Sequence, residues 1–578
     1  MNRKYILYLI NALLVILSIL AIIKSIFVSF DIDESYAVTQ AYRLLTGDRI
    51  LADRWEPHQL SAYGAAIFML PYLIITGGNT TGIVLFLRII GSAIHLSIGV
   101  WFFLVARKRF CFNTSILIAL VHVNFLPKWI VLPEFEIMHY WSVCVLFLAL
   151  LTWYESGRQK RYLFISGIAL WVLVSTYPTM ILLYPFYAYT LWKLDGRGYK
   201  QRALTILWFT LPALVIGLGL VLYMLSYMSV PEMIQNISYI MMDESHSESL
   251  SVRVMKYVDE LKTFFSKFIL YLPFSLVLAF LSGKINTLKG IMIFPVRVLL
   301  ITIGLYQMNH IAYLFLGDGN QFFLYFRFLI VTVLGVLGTF LYKENRNYFL
   351  LGIVPGIISV IASAAVTNMT FEIALARIYI AVIATCFIIS TLIKDKYNDN
   401  TILKGITFGT TVFFVAGLLV CKLLLVRVTG CIPISIKMHM DLVTKGPAAG
   451  LLVKEELAEQ YNENIPIIQE YVDENDNLLY FGCENIYYMT VDSEIATPTT
   501  QGTAVFNEMF LEYYEEHPDK LPNVVIIDKT YFTNPDYNYS FYSSQNQIVL
   551  NWIKKEFKNA TLQETDYLTI IKKETSSG

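Results

Sequence analysis

Apolar runs long enough to cross a bilayer recur along this chain until about residue 427, and no other feature narrows its fold as much. A helical span needs about 20 mostly apolar residues, because a backbone in hydrocarbon has to satisfy its own hydrogen bonds. The first run, Tyr5 to Val28, meets that length. It has no small-residue cleavage site and is too long for a signal-peptide core, which makes it an uncleaved first span. With 56% apolar residues, 15% charged residues and a mean hydropathy of +0.56, a soluble chain of 578 residues could not cover its apolar surface. The expected fold class is a polytopic α-helical membrane protein.

Basic residues orient it. They cluster at Arg3/Lys4, Arg107/Lys108/Arg109, Arg158/Lys160/Arg161, Lys193/Arg197/Lys200/Arg202, Lys284/Lys289, Lys343/Arg346 and Lys394/Lys396/Lys404. If all seven are cytoplasmic, an even number of crossings separates consecutive clusters. Spans at about 5–28, 82–106, 113–130, 138–154, 161–176, 178–192, 203–228, 263–282, 291–316, 321–342, 348–366, 371–393 and 403–427 satisfy this, giving about 13 transmembrane helices. The apolar piece "SAYGAAIFMLPYLIIT" (61–76) then cannot cross, and it reads as a helix in the outer interface.

The threading predicts a multi-pass protein of the cytoplasmic (plasma) membrane with its N-terminus inside and its tail outside. Residues 1–428 form the membrane domain, with a first extracytoplasmic loop and interfacial helices over 29–81 and a mobile extracytoplasmic loop over 229–262. Residues 429–578 read as an extracytoplasmic soluble α/β domain, with "NLLYFG" and "NVVIID" as strands and "AVFNEMFLEYYEEH" as a helix. From Asp441 on there are 23 Asp+Glu against 9 Lys+Arg, so the tail is acidic and the membrane part basic. No nucleotide-binding Gly fingerprint occurs in the tail, and no nucleic-acid partner is expected. Of six cysteines, only Cys431 and Cys483 fall in the tail; a disulfide and two free thiols both remain open.

Ionisable residues within spans are costly, so their placement is informative. They crowd the outer ends: Arg88, Lys128, Glu134, Glu136, His139, His310, Arg327, Glu372 and Arg377. A polar cavity open to the outside and reached from the bilayer follows. A lipid or polysaccharide transporter would place polar groups near the midplane, which the inner halves scarcely do. For Arg377 with Glu372, five apart on one span, a structural ion pair is the plainer reading.

The densest polar stretch is "FDIDESYAVTQAYRLLTGDRILADRWEPHQLS" (30–61), directly after the first span. Asp31, Asp33 and Glu34 stand at the start of a helix that Gly47 ends, where the helix dipole favours carboxylates. Asp33 as a simple N-cap is the bland alternative. An acidic pair, a Tyr and "A..LL.G" after the first span resemble the GT-C superfamily of membrane glycosyltransferases, in the branch of protein O-mannosyltransferases and the aminoarabinose transferase. The interfacial helix, Arg88 in "FLRIIG", acids after the third span and an extracytoplasmic tail extend the resemblance. "RWEPHQLSA" departs from it, standing where many members have a "PPL"-type segment.

The resemblance implies a polyprenyl-phosphate-linked sugar as donor and a hydroxyl acceptor on a glycan, lipid or protein, with inversion at the anomeric carbon. Asp33 is then the expected general base and Glu34 its helper. Asp31, Glu134, Glu136 and His58 are candidates for the acceptor side or a second carboxylate. Arg88, Lys128, Arg327 and Arg377 form the pool of phosphate ligands. No cofactor is certain; a divalent cation (Mg2+ or Mn2+) on Asp31, Asp33 and Glu134 is one option. A non-catalytic relative that binds polyprenyl lipid or organises a cell-wall complex is the other reading.

Overall fold

The structure, a computed structural model, describes residues 3–125, 127, 130–241, 249–283, 288–316, 325–366, 369–394, 401–428, 432–435, 439–482, 484–500, 508–529 and 543–573. Lys128, Cys431 and Cys483 lie outside them, as does the side chain of His310.

Helices follow one another almost without interruption to residue 424. They are α1 (Arg3–Phe27), α2 (Ile32–Thr46), α3 (Ala62–Thr76), α4 (Ile83–Arg107), α5 (Phe112–Asn124), α6 (Phe135–Glu155), α7 (Lys160–Thr176) and α8 (Leu183–Asp195). Next come α9 (Tyr199–Leu225), α10 (Val230–Ile240), α11 (Leu250–Phe268), α12 (Leu272–Leu281), α13 (Leu288–Leu316) and α14 (Phe326–Leu341). A short α15 (Arg346–Tyr348) runs through a π-helical stretch (Phe349–Ile353) into α16 (Val354–Ala364), followed by α17 (Phe371–Leu375), α18 (Tyr379–Lys394) and α19 (Thr401–Leu424).

Ten helical stretches among the described residues are long and apolar enough to cross a membrane, and α5 and α14 are shorter apolar helices. The polytopic reading holds. Within the bundle, α6 and the α17–α18 stretch (Phe371–Lys394) are central, each with 94% of its most apolar part buried, whereas α1 and α9 keep 28% and 17%. The exposed face of α1, with Leu9, Leu13, Ile16 and Leu20, is therefore the kind of surface that acyl chains cover.

Residues 59–76 are one of the ten stretches by length and composition. Both ends of α3 are nevertheless pinned at the same end of the bundle. Before it, the His58 ring meets the carbonyl of Thr176, the last residue of α7 (2.9 Å); after it, the Thr80 hydroxyl donates to the Met489 carbonyl of the C-terminal domain (2.7 Å). The expected loop over 229–262 is helical in its described parts, α10 and α11. Ser229 and Glu232 form a capping box that starts α10, and apolar residues at helical spacing carry α11 straight on towards α12.

The tail is α/β, as its alternating runs suggest. Strands β1 (Leu425–Val428) and β2 (Ile432–Ser435) pair antiparallel, as do β3 (Met440–Leu442) and β4 (Leu452–Lys454). After α20 (Glu455–Tyr471) a five-stranded sheet forms from β5 (Asn477–Phe481), β6 (Glu494–Ile495), β7 (Val524–Asp528), β8 (Thr561–Glu564) and β9 (Leu568–Lys572), in the order β6-β5-β7-β9-β8. Strands β6, β5 and β7 are parallel, with Leu478 opposite Val524; β9 runs antiparallel to β7 and β8. Helices α21 (Glu508–Glu516) and α22 (Ser543–Glu556) complete it, and Met509, Phe510, Tyr513, Val549 and Ile553 bury against Leu479, Phe481 and Val525.

Candidate functional site

The end of the bundle that carries the C-terminal domain gathers most of the polar residues singled out in the sequence. Helix α2 begins there with Asp31, not Asp33, as N-cap: the Asp31 carboxylate accepts from the Asp33 N–H (3.0 Å), and the Glu34 carboxylate accepts from the Asp31 N–H (3.2 Å). This capping box fixes the first turn. Gly47, at φ 118°, closes the helix in a left-handed conformation that suits glycine.

Glu34 is buried and held by Arg88 through two bonds, Nε to Oε1 (2.7 Å) and Nη2 to Oε2 (2.5 Å). The same guanidinium donates to the carbonyls of Ile26 (3.1 Å) and Ser29 (2.8 Å), so it also caps the end of α1. Arg88 thus ties α1, α2 and α4 together. Asp33, between two committed acids, remains partly exposed on the first turn. Tyr36 shares its side of the helix at i+3, and the Tyr36 hydroxyl donates to the Pro57 carbonyl (2.6 Å). Through Tyr36, α2 is tied to the 57–58 turn.

His58 continues that path. Its ring stacks on Phe135 at 4.0 Å and meets Tyr177 edge-on at 5.0 Å. Phe135 opens α6, where Glu134 is the N-cap and accepts from the N–H groups of Glu136 (2.9 Å) and Ile137 (2.6 Å). The chain before α6 crosses α4 so closely that a Cβ on Gly91 would lie 1.8 Å from the Val131 carbonyl oxygen. This close approach packs Val131, just before the Glu134 turn, against α4 one turn after Arg88.

Arg377 donates to Glu136 (2.7 Å) and to the Tyr177 hydroxyl (2.5 Å), all three buried. Its carboxylate partner is Glu136 rather than Glu372, because residues five apart on a helix point about 140° apart. Glu372 instead accepts from the Tyr325 N–H (3.4 Å). One turn along α6, the buried His139 ring meets Tyr177 and Tyr379 edge-on, and neither ring nitrogen has a hydrogen-bond partner among the described residues.

Arg327 differs from the other two arginines. It is buried and bonds the Gln307 side-chain oxygen (2.8 Å) and the Cys421 thiol (3.8 Å), with no carboxylate partner among the described residues. The next residue, Lys422, is also buried and donates only to the Val123 carbonyl, at the end of α5 (2.9 Å). Lys24, half-buried at the end of α1, donates to the carbonyls of Lys422 (3.0 Å) and Leu425. Each lysine caps a helix C-terminus, and neither meets an acid among the described residues. Sequence reasoning passed over Lys24, Lys422 and Gln307, although a lysine at a span end on the acid-bearing side breaks the positive-inside pattern.

A second group of polar residues joins the domains. Arg43 is wholly buried and bonds Asp48 through Nε (2.5 Å) and the Asp53 and Thr497 carbonyls through Nη2 (3.1 and 2.9 Å). Lys520 reaches Asp48 (2.9 Å) and Glu494, while Glu56 accepts from the Thr500 N–H (2.7 Å) and hydroxyl (3.1 Å). Burial alone would raise the Asp48 pKa, but Arg43 and Lys520 hold it below the usual carboxylate range. Burial likewise opposes the charge on Lys520, and Asp48 and Glu494 reverse this and raise it. Trp55 stacks on Tyr239 at 4.3 Å and meets Tyr513 and His517 edge-on. "RWEPHQ" is therefore split: Arg54 donates to the Gln40 carbonyl of α2 (3.0 Å), Trp55 and Glu56 dock the tail, and His58 turns to the α6 end.

Among the described residues no group of three or more His, Cys, Asp or Glu side chains converges as a metal site. Asp31 and Glu134 each cap a helix N-terminus with their carboxylates.

No family model matches the sequence, and no curated protein matches it. Two solved structures align over nearly all of the chain. The oligosaccharyltransferase AglB from Archaeoglobus fulgidus, in complex with an inhibitory peptide and a dolichol-phosphate, shows 11% identity and a TM-score of 0.40, over 95% of this chain and 72% of that one. ArnT from Cupriavidus metallidurans, bound to undecaprenyl phosphate, shows 12% identity and a TM-score of 0.40, over 100% of this chain and 99% of that one. At such scores the functional reading rests on this chain's own residues.

Proposed function

We propose that this protein is an integral-membrane glycosyltransferase that moves a sugar from a polyprenyl-phosphate carrier to an acceptor hydroxyl. The observation that supports this most is the pairing of two unlike sets of groups at one end of the bundle. Partly exposed Asp33 stands on the first turn of α2 next to Arg88-bound Glu34, while Arg327, Lys422 and Lys24 bring positive charge without a carboxylate partner among the described residues. Buried charge without a counter-ion is costly, and a phosphate anion from the bilayer would offset it.

In the reaction, the Asp33 carboxylate takes the proton of the acceptor hydroxyl as its oxygen attacks the anomeric carbon. The bond from that carbon to the phosphate oxygen breaks, the lipid phosphate leaves with the electron pair, and the configuration inverts. Arg327 and Lys422 stabilise the charge on the leaving phosphate. Arg88 and Arg377, already paired with Glu34 and Glu136, act as positioning residues rather than phosphate ligands. Glu34 holds the first turn of α2, and His58, Glu134 and Glu136 shape the acceptor side. The domain-bearing end then faces the extracytoplasmic side.

Mass spectrometry of surface glycans in cells with and without the protein tests this. Loss of one defined sugar substituent, with accumulation of its polyprenyl-linked form, is expected; an unchanged glycan and lipid-sugar profile would sink the proposal.

A further inference from the structure

At the end of the bundle away from the C-terminal domain lies a cavity of about 710 Å³. Its lining includes Arg109 from the turn after α4, Lys193 from the last turn of α8, Lys343 and Arg346 from the α14–α15 connection, Lys394 from the end of α18, and Glu344. Arg109 is paired with Glu155 (2.8 Å), and its guanidinium lies over the ring of buried Tyr348 at 5.3 Å. Lys193, Lys343, Arg346 and Lys394 have no carboxylate partner among the described residues.

Cations at helix C-termini are ordinary, since the dipole favours them and long side chains reach water. What is not ordinary is their convergence. Basic residues from four separate elements line one space. The volume falls in the range of sites that enclose a small molecule. Like charges brought together raise one another's energy, and a multiply acceptor-bearing anion such as phosphate relieves this through charge-assisted bonds. Basic pockets between helix ends at a membrane surface suit lipid phosphate in the same way.

We infer that this cavity binds a net-anionic phosphate group, either the headgroup of an anionic phospholipid or a soluble phosphate ester. It is separate from the Asp33 end of the bundle and does not depend on the reading of that end.

The test uses the purified full chain in neutral detergent. Native mass spectrometry and thermal unfolding would be read with phosphatidylglycerol, phosphatidylcholine and glycerol 3-phosphate as probes. Preference for phosphatidylglycerol over phosphatidylcholine by about tenfold or more is expected if the source is lipid. Binding of glycerol 3-phosphate that competes with the lipid assigns a soluble source; either result supports the site. Lys343→Gln/Arg346→Gln/Lys394→Gln should abolish the preference, and the single variants Lys343→Gln and Lys394→Gln, both at exposed residues, carry the test if the triple variant does not fold. The inference is overturned if neither anionic probe binds better than phosphatidylcholine, or if the variants bind as the wild type does.

Discussion

Arg88 grips Glu34 through two parallel bonds of 2.7 and 2.5 Å while capping α1, so a helix end and the first turn of the acid-bearing helix share one guanidinium. Removing it leaves Glu34 buried without its counter-charge, which costs about 3–5 kcal/mol for a buried pair. Arg88→Ala should lower the thermal unfolding midpoint sharply. In a double-mutant cycle with Glu34→Gln the two losses should be far from additive. Additive losses would show that the pair does not act as a unit.

Asp33→Asn is expected to reduce sugar transfer by about 10²–10⁴-fold, the usual contribution of a general base. The substitution keeps shape and leaves the Asp31–Glu34 capping box in place, so unfolding should hardly change. Full activity in this variant would remove Asp33 as the base.

Arg327→Ala and Lys422→Ala should each raise the lipid-donor concentration required by about 10–100-fold, in line with 1.5–3 kcal/mol for a bond to a charged group. The acceptor requirement should change little. Parallel changes in both requirements would point to distortion of the bundle instead.

The Arg43–Asp48–Lys520 junction makes a pH prediction. Because the Asp48 pKa is lowered, against burial, by Arg43 and Lys520, its contribution is present above the unfolded value of about 3.9 and is lost as pH falls through the folded value. Because the Lys520 pKa is raised, against burial, by Asp48 and Glu494, its contribution is full below about 10.4 and is lost as pH rises through the folded value. The protection factors of the amides at residues 494–500, that is exchange relative to the intrinsic rate at each pH, should stay high from about pH 5 to 9 and fall outside that window. Loosening near neutrality would contradict the sign of both shifts.

Trp55 anchors the tail by stacking between the two parts of the chain, and Trp55→Ala should cost about 3–5 kcal/mol at that interface. Protease added to right-side-out vesicles should clip the tail after about residue 428 faster in this variant than in the wild type. Complete protection of the tail in both proteins would overturn the proposed orientation.

Hydropathy and the period of the apolar residues were enough to find the polytopic helical class, because a span must be apolar along its whole length whatever it packs against. They did not fix the number of spans, since the expected spans 161–176 and 178–192 are not among the ten membrane-long stretches and 59–76 is. The same local logic found β5 and β7 and the start and Gly47 stop of α2. It could not assign the acids at the start of α2, since Asp31 and Asp33 are equivalent as caps until the backbone chooses one. Nor could it separate paired from unpaired arginines. Arg88 and Glu34 lie 54 positions apart and Arg377 and Glu136 lie 241 apart, so only the packing of distant helices decides that Arg88 and Arg377 are neutralised. Arg327 and Lys422 stand out for the same reason, because the lack of a carboxylate partner among the described residues becomes visible only once distant helices are packed together.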